Sequence, residues 1–233
     1  MKLPAFVKRS EFIQNVFVLM SGTAIATVIA LFASPIVSRL YTPESFGVLA
    51  IYMTTLNMLS VVSIGRYQHA VLLPKNDKES TPIVYLCFII ISTFSIVSCV
   101  VVIFFNKHIS LLLNSPQLRV WLYTIPFALF FTSSMQVFIS WLLRKKRYRS
   151  IAYCRIYSAA SSSISKISIG FLGAGMAGHV ISLLIGYIVG TVGLLWNSWN
   201  TRAFDKTNIN FSLLKKMQLN IRTSHFSQFQ GIG

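Results

Sequence analysis

Acidic residues are scarce in this chain of 233 residues, which has 5 Asp and Glu against 21 Lys and Arg and a net charge of +16. Charged residues make up only 11% of the chain, whereas a soluble domain has about 25%. A pI near 10.2 is common among nucleic-acid-binding proteins. Here the basic residues lie between apolar runs that are too long for a soluble fold, so we expect no nucleic-acid partner. The preference of cytoplasmic membrane-protein loops for Lys and Arg explains the charge better.

Cysteine and histidine are also few. The three cysteines, Cys87, Cys99 and Cys154, form no C-x-x-C pair and are interpreted as small buried apolar residues. The four histidines are scattered singly, without the spacing of a metal site, and His69 and His108 are expected in loops. With so few acidic residues and only short loops on one side, we expect no metal, no cofactor, no catalytic residue and no enzyme.

Long apolar runs dominate the chain instead: 54% of its residues are hydrophobic and its mean hydropathy is +0.65. A helix crosses the core of a bilayer with about 20 mostly apolar residues. Six stretches meet this requirement, and they cover residues 15–38, 46–64, 83–105, 120–143, 151–172 and 178–196. The sequence therefore predicts an all-α, polytopic bundle of about six transmembrane helices. Pro35 and Pro126 lie inside two of these spans and are expected to kink them.

The two ends of the chain lie outside the predicted bundle. Residues 1–14 form an amino-terminal segment, and residues 201–233 form a basic tail. Lys8 and Arg9 precede the first apolar run, and a cleaved signal peptide has the same order of cations and apolar residues. The run is long for such a peptide and Arg39 flanks its other end, so a retained helix is the favoured interpretation.

The distribution of Lys and Arg sets the orientation. The amino-terminal segment, the second and fourth loops and the tail together contain 16 of these residues, and the opposite loops contain 3. Positive loops remain in the cytoplasm, so both termini are expected there, and an even number of spans agrees.

The sixth span contains small residues at every fourth position, namely Gly178, Ser182, Gly186 and Gly190. Small residues at this spacing form a groove in which helix backbones approach closely. The groove is expected to pack on another span of the same chain, with a dimer face as the alternative.

The fifth span is rich in serine and contains two cations, Arg155 and Lys166. A cation near the middle of a membrane helix costs at least about 2.5–3.5 kcal/mol, and the predicted spans contain no acidic residue. Each side chain either extends to the interface or faces a wet cavity. Eleven residues separate them, so they lie near the same helix face. Such a cationic stripe is suited to the passage of an anionic solute.

Two segments carry a resemblance to a known family. Residues 38–47, which read SRLYTPESFG, resemble the first loop of bacterial polysaccharide-biosynthesis flippases of the multidrug/oligosaccharidyl-lipid/polysaccharide exporter superfamily. Residues 65–75, which read GRYQHAVLLPK, resemble the loop after the second span of these proteins, although Gln68 and His69 depart from its usual pattern. The resemblance covers about residues 10–200. Its candidate motif residues are Arg39, Tyr41, Pro43, Glu44, Gly47, Arg66, Tyr67 and Pro74.

The resemblance implies a function. Members of the family move lipid-linked oligosaccharides of the undecaprenyl-pyrophosphate type across the bacterial cytoplasmic (inner) membrane, for lipopolysaccharide O-antigen, capsule or exopolysaccharide. They do so by alternating access between two helical lobes around a cationic cavity, for which Lys166 and Arg155 are the candidates here.

The number of predicted spans departs from this family, whose members have about twelve or more in two lobes. Six spans correspond to the amino-terminal half, so a truncated or frameshifted product is expected, with a real short tail as the alternative. A missing second lobe or a second copy is the expected partner. Two other functions stay open: a small dimerising membrane scaffold and a membrane enzyme of polysaccharide assembly.

Overall fold

The described structure is built from helices alone. The computed structural model describes residues 5–64 and 77–200. Within these ranges the elements are α1 (Ala5–Leu40), α2 (Pro43–Ile64), α3 (Asp77–Leu112), the single turn α4 (Leu118–Trp121), α5 (Ile125–Arg144), α6 (Tyr148–Phe171) and α7 (Met176–Asn200). A 3-10 turn, Leu122–Thr124, joins α4 to α5. The prediction of an all-α polytopic bundle is confirmed.

Five of the described helices are long and apolar enough to cross a membrane: α1, α2, α3, the α4–α5 segment and α7. The serine-rich helix α6 is the exception, because its serines and the cations Arg155 and Lys166 lower its hydropathy. It has 24 residues, about 36 Å at 1.5 Å per residue, so its length is sufficient. A sixth span at this helix stays a prediction.

The helices pack in a fixed order. α6 lies between α1 and α7, α7 also packs on α5, and α5 packs on α3. α2 contacts α3, α5 and α7. Of the five candidate spans, the α4–α5 segment is the most buried, with 61% of its most apolar window inside the bundle, against 11% for α1. The core therefore surrounds α5, and α1 is a peripheral helix held by α6.

Apolar side chains and polar links together hold this core. The largest cluster joins α2, α3, α4, α5 and α7, and its members include Tyr52, Val102, Leu118, Leu129 and Val180. Tyr52 Oη lies 3.0 Å from Thr124 Oγ1, and Ser95 Oγ donates to the Pro126 carbonyl at 2.6 Å. Such interhelical bonds satisfy groups that lipid cannot.

Pro126 lies inside the α4–α5 span, as predicted, and within that span it occupies the first turn of α5, where proline has no N–H to lose and its φ suits a helix start. One local expectation, a loop at His108, is wrong. His108 lies in α3 and not in a loop, since that helix continues to Leu112. The Asn106 side-chain amide donates to the Arg119 carbonyl at 2.9 Å and ties this extension to α4.

Candidate functional site

Arg155 lies on the face of α6 that meets α1. Its guanidinium donates to Thr23 Oγ1 at 2.7 Å, and its side chain is partly buried. Among the described residues it is the one cation lining a groove of about 560 Å³, and the other described lining residues come from α1: Leu19, Met20, Thr23, Ala24, Thr27, Val28 and Leu31. A cation bound to one hydroxyl and set in an apolar groove retains donors for an anion.

Lys166 lies eleven residues farther along α6, also partly buried. Eleven residues are about three turns, which separates the two cations by about 16 Å along one helix face. The structure therefore does not bring Lys166 and Arg155 into one clamp. At that separation a small anion could not contact both cations at once.

Tyr41 fixes the backbone at Lys166. The Tyr41 hydroxyl donates to the Lys166 carbonyl at 2.7 Å, and its ring is packed against Gly170 and Gly178. A Cβ atom at Gly178 would collide with the Tyr41 hydroxyl. Tyr41 is only 4% exposed, and burial raises the pKa of its phenol above the ordinary value of 10.0. The first motif loop thus holds the ends of α6 and α7 together.

His179 completes this cluster, and the sequence analysis did not single it out. Its ring is fully buried and stacks on Tyr41 with centroids 3.9 Å apart. Phe46 covers it from α2, with ring centroids 4.8 Å apart. Neither ring nitrogen has a hydrogen-bond partner among the described residues. The signal was available, because an ionisable residue inside a predicted span marks a candidate site.

The other residues of the first motif lie around this end of the bundle. Glu44 Oε1 accepts a hydrogen bond from Gln117 Nε2 at 2.5 Å, which joins α2 to the segment before α4. Pro43 is the first residue of α2, Arg39 is exposed in the last turn of α1, and Gly47 faces open space. The second motif, with Arg66, Tyr67 and Pro74, lies outside the described residues.

The small residues of α7 each contact a neighbour within the chain. Gly178 meets Tyr41, and Gly186 meets Ser158 and Ser162 of α6. Gly190 lies against Met135 of α5 and Ser158. Ser182 is fully buried, and its hydroxyl donates to the Gly178 carbonyl at 2.5 Å. Ser158 Oγ also donates to the Gly186 carbonyl at 2.7 Å. An interhelical hydrogen bond therefore forms where α6 and α7 approach closely.

Long apolar helices in a polytopic bundle define this chain as a multi-pass membrane protein. Residues 36–218 match the polysaccharide biosynthesis protein family, and the chain belongs to that family. The match begins later than the resemblance seen in the sequence and continues into the tail, where no motif was recognised. Searches of curated proteins and of solved structures found no match.

Proposed function

We propose that this protein translocates lipid-linked oligosaccharides across the bacterial cytoplasmic membrane for the synthesis of a cell-surface polysaccharide. Both termini lie in the cytoplasm in this proposal, as the distribution of Lys and Arg requires. Membership of the polysaccharide biosynthesis family supports the general role. The activity makes and breaks no covalent bond, so the proposal includes no catalytic residue and no cofactor.

The observation that carries the proposal is the cationic face of α6. Arg155 and Lys166 lie on one face of a helix without acidic residues, and Arg155 opens into the groove along α1. Cations inside membrane segments are costly and mark substrate pathways. A pyrophosphate group, which remains anionic at neutral pH, is the part of the substrate that these two positions would attract.

The proposed partner is a second helical lobe or a second copy of the chain. Alternating access moves one lobe against another around a site near the bilayer midplane. The partner would close the groove between α1 and α6, which one lobe leaves open. The sugar makes its contacts in that shared space.

Transport in reconstituted liposomes tests the proposal. Undecaprenyl-pyrophosphate-linked oligosaccharide is placed in vesicles that contain the purified protein, and its arrival in the opposite leaflet is followed with a lectin or glycosidase. We expect transport by the wild type and at least a tenfold loss in Lys166→Leu and Arg155→Leu, since each removes a donor to the anion. Lys107→Leu, at an exposed cation on α3, serves as the control and keeps the wild-type rate.

Two results would contradict the proposal in different ways. A wild type that moves no lipid-linked oligosaccharide rules out translocation by copies of this chain alone, and with it the second copy as the partner. Unchanged transport in both Lys166→Leu and Arg155→Leu leaves translocation in place but removes the role of the cationic face.

A further inference from the structure

A second groove lies on the other side of α6, between α6 and α7, with a volume of about 510 Å³. Tyr153 and Tyr157 line it from α6, and Ile188, Val192 and Trp196 line it from α7. Tyr153 and Arg155 are two residues apart, so their side chains leave the helix in directions about 200° apart around its axis. This α6–α7 groove is therefore separate from the cationic face.

The side chains of the α6–α7 groove form two facing rows. Tyr153 and Tyr157 are four residues apart, and so are Ile188, Val192 and Trp196, so each row follows one face of its helix. The large aromatic members are open: Tyr153 is 59% exposed, Tyr157 64% and Trp196 77%. Gly193 contributes no side chain and leaves open space beside them. The result is an apolar channel with room for a chain-like ligand.

One end of the channel is cationic. Arg149 precedes Tyr153 by one helical turn on the same face and is exposed. Arg147 donates to Asn197 at 3.4 Å, so the basic turn between α5 and α6 reaches α7 directly beside Trp196. No acidic residue occurs between Glu79 and Asp205, so α5, α6 and α7 contain none to neutralise this end. The amino terminus of the 24-residue helix α6 adds its own positive potential there.

We propose that the α6–α7 groove binds an anionic phospholipid of the leaflet that faces the basic turn. The headgroup phosphate lies at Arg149 and the start of α6, and one acyl chain lies between the two side-chain rows. A net anionic headgroup joined to an alkyl chain matches both halves of the surface, and basic pockets between membrane helices select such lipids. Tyr157 begins about 12 Å beyond Arg149 along α6, deeper than an interfacial aromatic belt requires. The proposal does not depend on oligosaccharide transport.

Quenching of Trp196 by brominated lipids tests this site. In a Trp121→Phe, Trp199→Phe background, Trp196 is the exposed reporter, and the remaining Trp141 is fully buried. The protein is placed in nanodiscs that contain phosphatidylcholine brominated in its acyl chains, or phosphatidylglycerol brominated in the same way. We expect phosphatidylglycerol to give half-maximal quenching at an about fivefold lower mole fraction, the effect of one cation near an anionic surface.

Two pairs of variants separate a site from general attraction. Arg149→Gln is expected to abolish the fivefold preference, whereas Lys146→Gln, an equal loss of charge in the same turn, retains it. Gly193→Leu fills the channel and is expected to reduce quenching by both lipids, because its side chain enters open space without a clash. Gly47→Leu, at a glycine that also faces open space, is the control and leaves quenching unchanged.

Several results would overturn the proposal. Equal quenching by the two lipids removes the headgroup preference. Equal losses in Arg149→Gln and Lys146→Gln reduce it to diffuse surface charge. Full quenching in Gly193→Leu means that no acyl chain lies in the channel, and a Trp196 that is shielded from both lipids means that protein covers it.

Discussion

Tyr41 lies in a short turn, yet its hydroxyl, its ring face and its ring edge each contact a neighbouring helix. Its hydroxyl bonds the Lys166 carbonyl, one ring face stacks on His179, and the ring edge contacts Gly170 and Gly178. Gly170 and Gly178 have no side chains, and this leaves the space that the phenol occupies. Three helices meet at this one residue.

Removal of the hydroxyl alone tests how much the bond to Lys166 contributes. Tyr41→Phe is expected to lower the free energy of unfolding by about 0.5–1.5 kcal/mol, because the ring stays and one hydrogen bond is lost. Thermal unfolding of the protein in detergent measures the change. Tyr123→Phe, at a tyrosine that is 52% exposed, is the matched control. Equal midpoints for the two variants would contradict the prediction.

The same pair predicts a pH dependence. Burial raises the pKa of Tyr41 above 10.0 in the folded protein, so the fold stabilises the neutral phenol. The advantage of the wild type over Tyr41→Phe is therefore fully present below pH 10 and is lost as the pH rises through the higher folded-state pKa. Unfolding midpoints of both proteins between pH 7 and a strongly alkaline pH give the comparison. An advantage that grows with alkaline pH would refute it.

Sequence reasoning identified Tyr41 as a motif residue but not what it does. The Tyr41–Lys166 bond joins residues 125 positions apart, and no local pattern encodes such a distance. His179 was passed over because it stands alone in an apolar span, where a packed ring and a functional ring look the same in sequence. The spacing of Arg155 and Lys166, in contrast, follows from helix geometry alone.

At the scale of the helix, α6 is the element that composition describes least well. Its serines and two cations make it too polar to be counted with the other five, yet Ser158 and Ser162 are partly buried and lie against Gly186. A helix that packs between α1 and α7 does not need an apolar surface on every side. Hydropathy therefore predicts the five apolar helices well. The helix α6 is predicted only from its length and from the spans on either side of it.

Accessibility to a membrane-impermeant thiol reagent tests whether α6 crosses the bilayer. Lys146→Cys precedes the helix and Ala174→Cys follows it, each in a background with Cys87, Cys99 and Cys154 replaced by serine. We expect intact cells to label Ala174→Cys, whereas Lys146→Cys reacts only after the membrane is made permeable. Labelling of both from the same side would show that α6 does not cross.

Helix boundaries were harder to predict than the helices themselves. The fourth predicted span, 120–143, is divided in the structure into the end of α4, a 3-10 turn and α5, which begins at Ile125. Tyr52 of α2 is hydrogen-bonded to Thr124 of the 3-10 turn, and this contact with a different helix stabilises the turn. Apolar composition is the same on both sides of the break and cannot reveal it.

For the molecule as a whole, the small residues of α7 decide between internal packing and dimerisation. In Gly186→Val the new Cβ would lie 2.8 Å from that of Ser162, so overpacking should cost about 1–3 kcal/mol. Gly193→Val on the same helix meets no atom within 4 Å and should unfold near the wild-type temperature. Thermal unfolding and light scattering are measured together. A Gly186→Val protein with unchanged stability and a lost dimer would favour the scaffold function.

The turn at Tyr41 also has a mechanical consequence. It fastens α1 to α6 and α7, and the nearby Glu44–Gln117 bond fastens α2 to the segment before α4. A second contact holds α1 to α6 farther along, because Arg155 of α6 bonds Thr23 of α1. Thr23 and Tyr41 are 18 positions apart, about 27 Å along the helix at 1.5 Å of rise per residue. Two fixed points at this separation align α1 with α6 along most of the length from Ile13 to Leu40. Any rearrangement of the bundle would therefore move α1 and α6 as one unit.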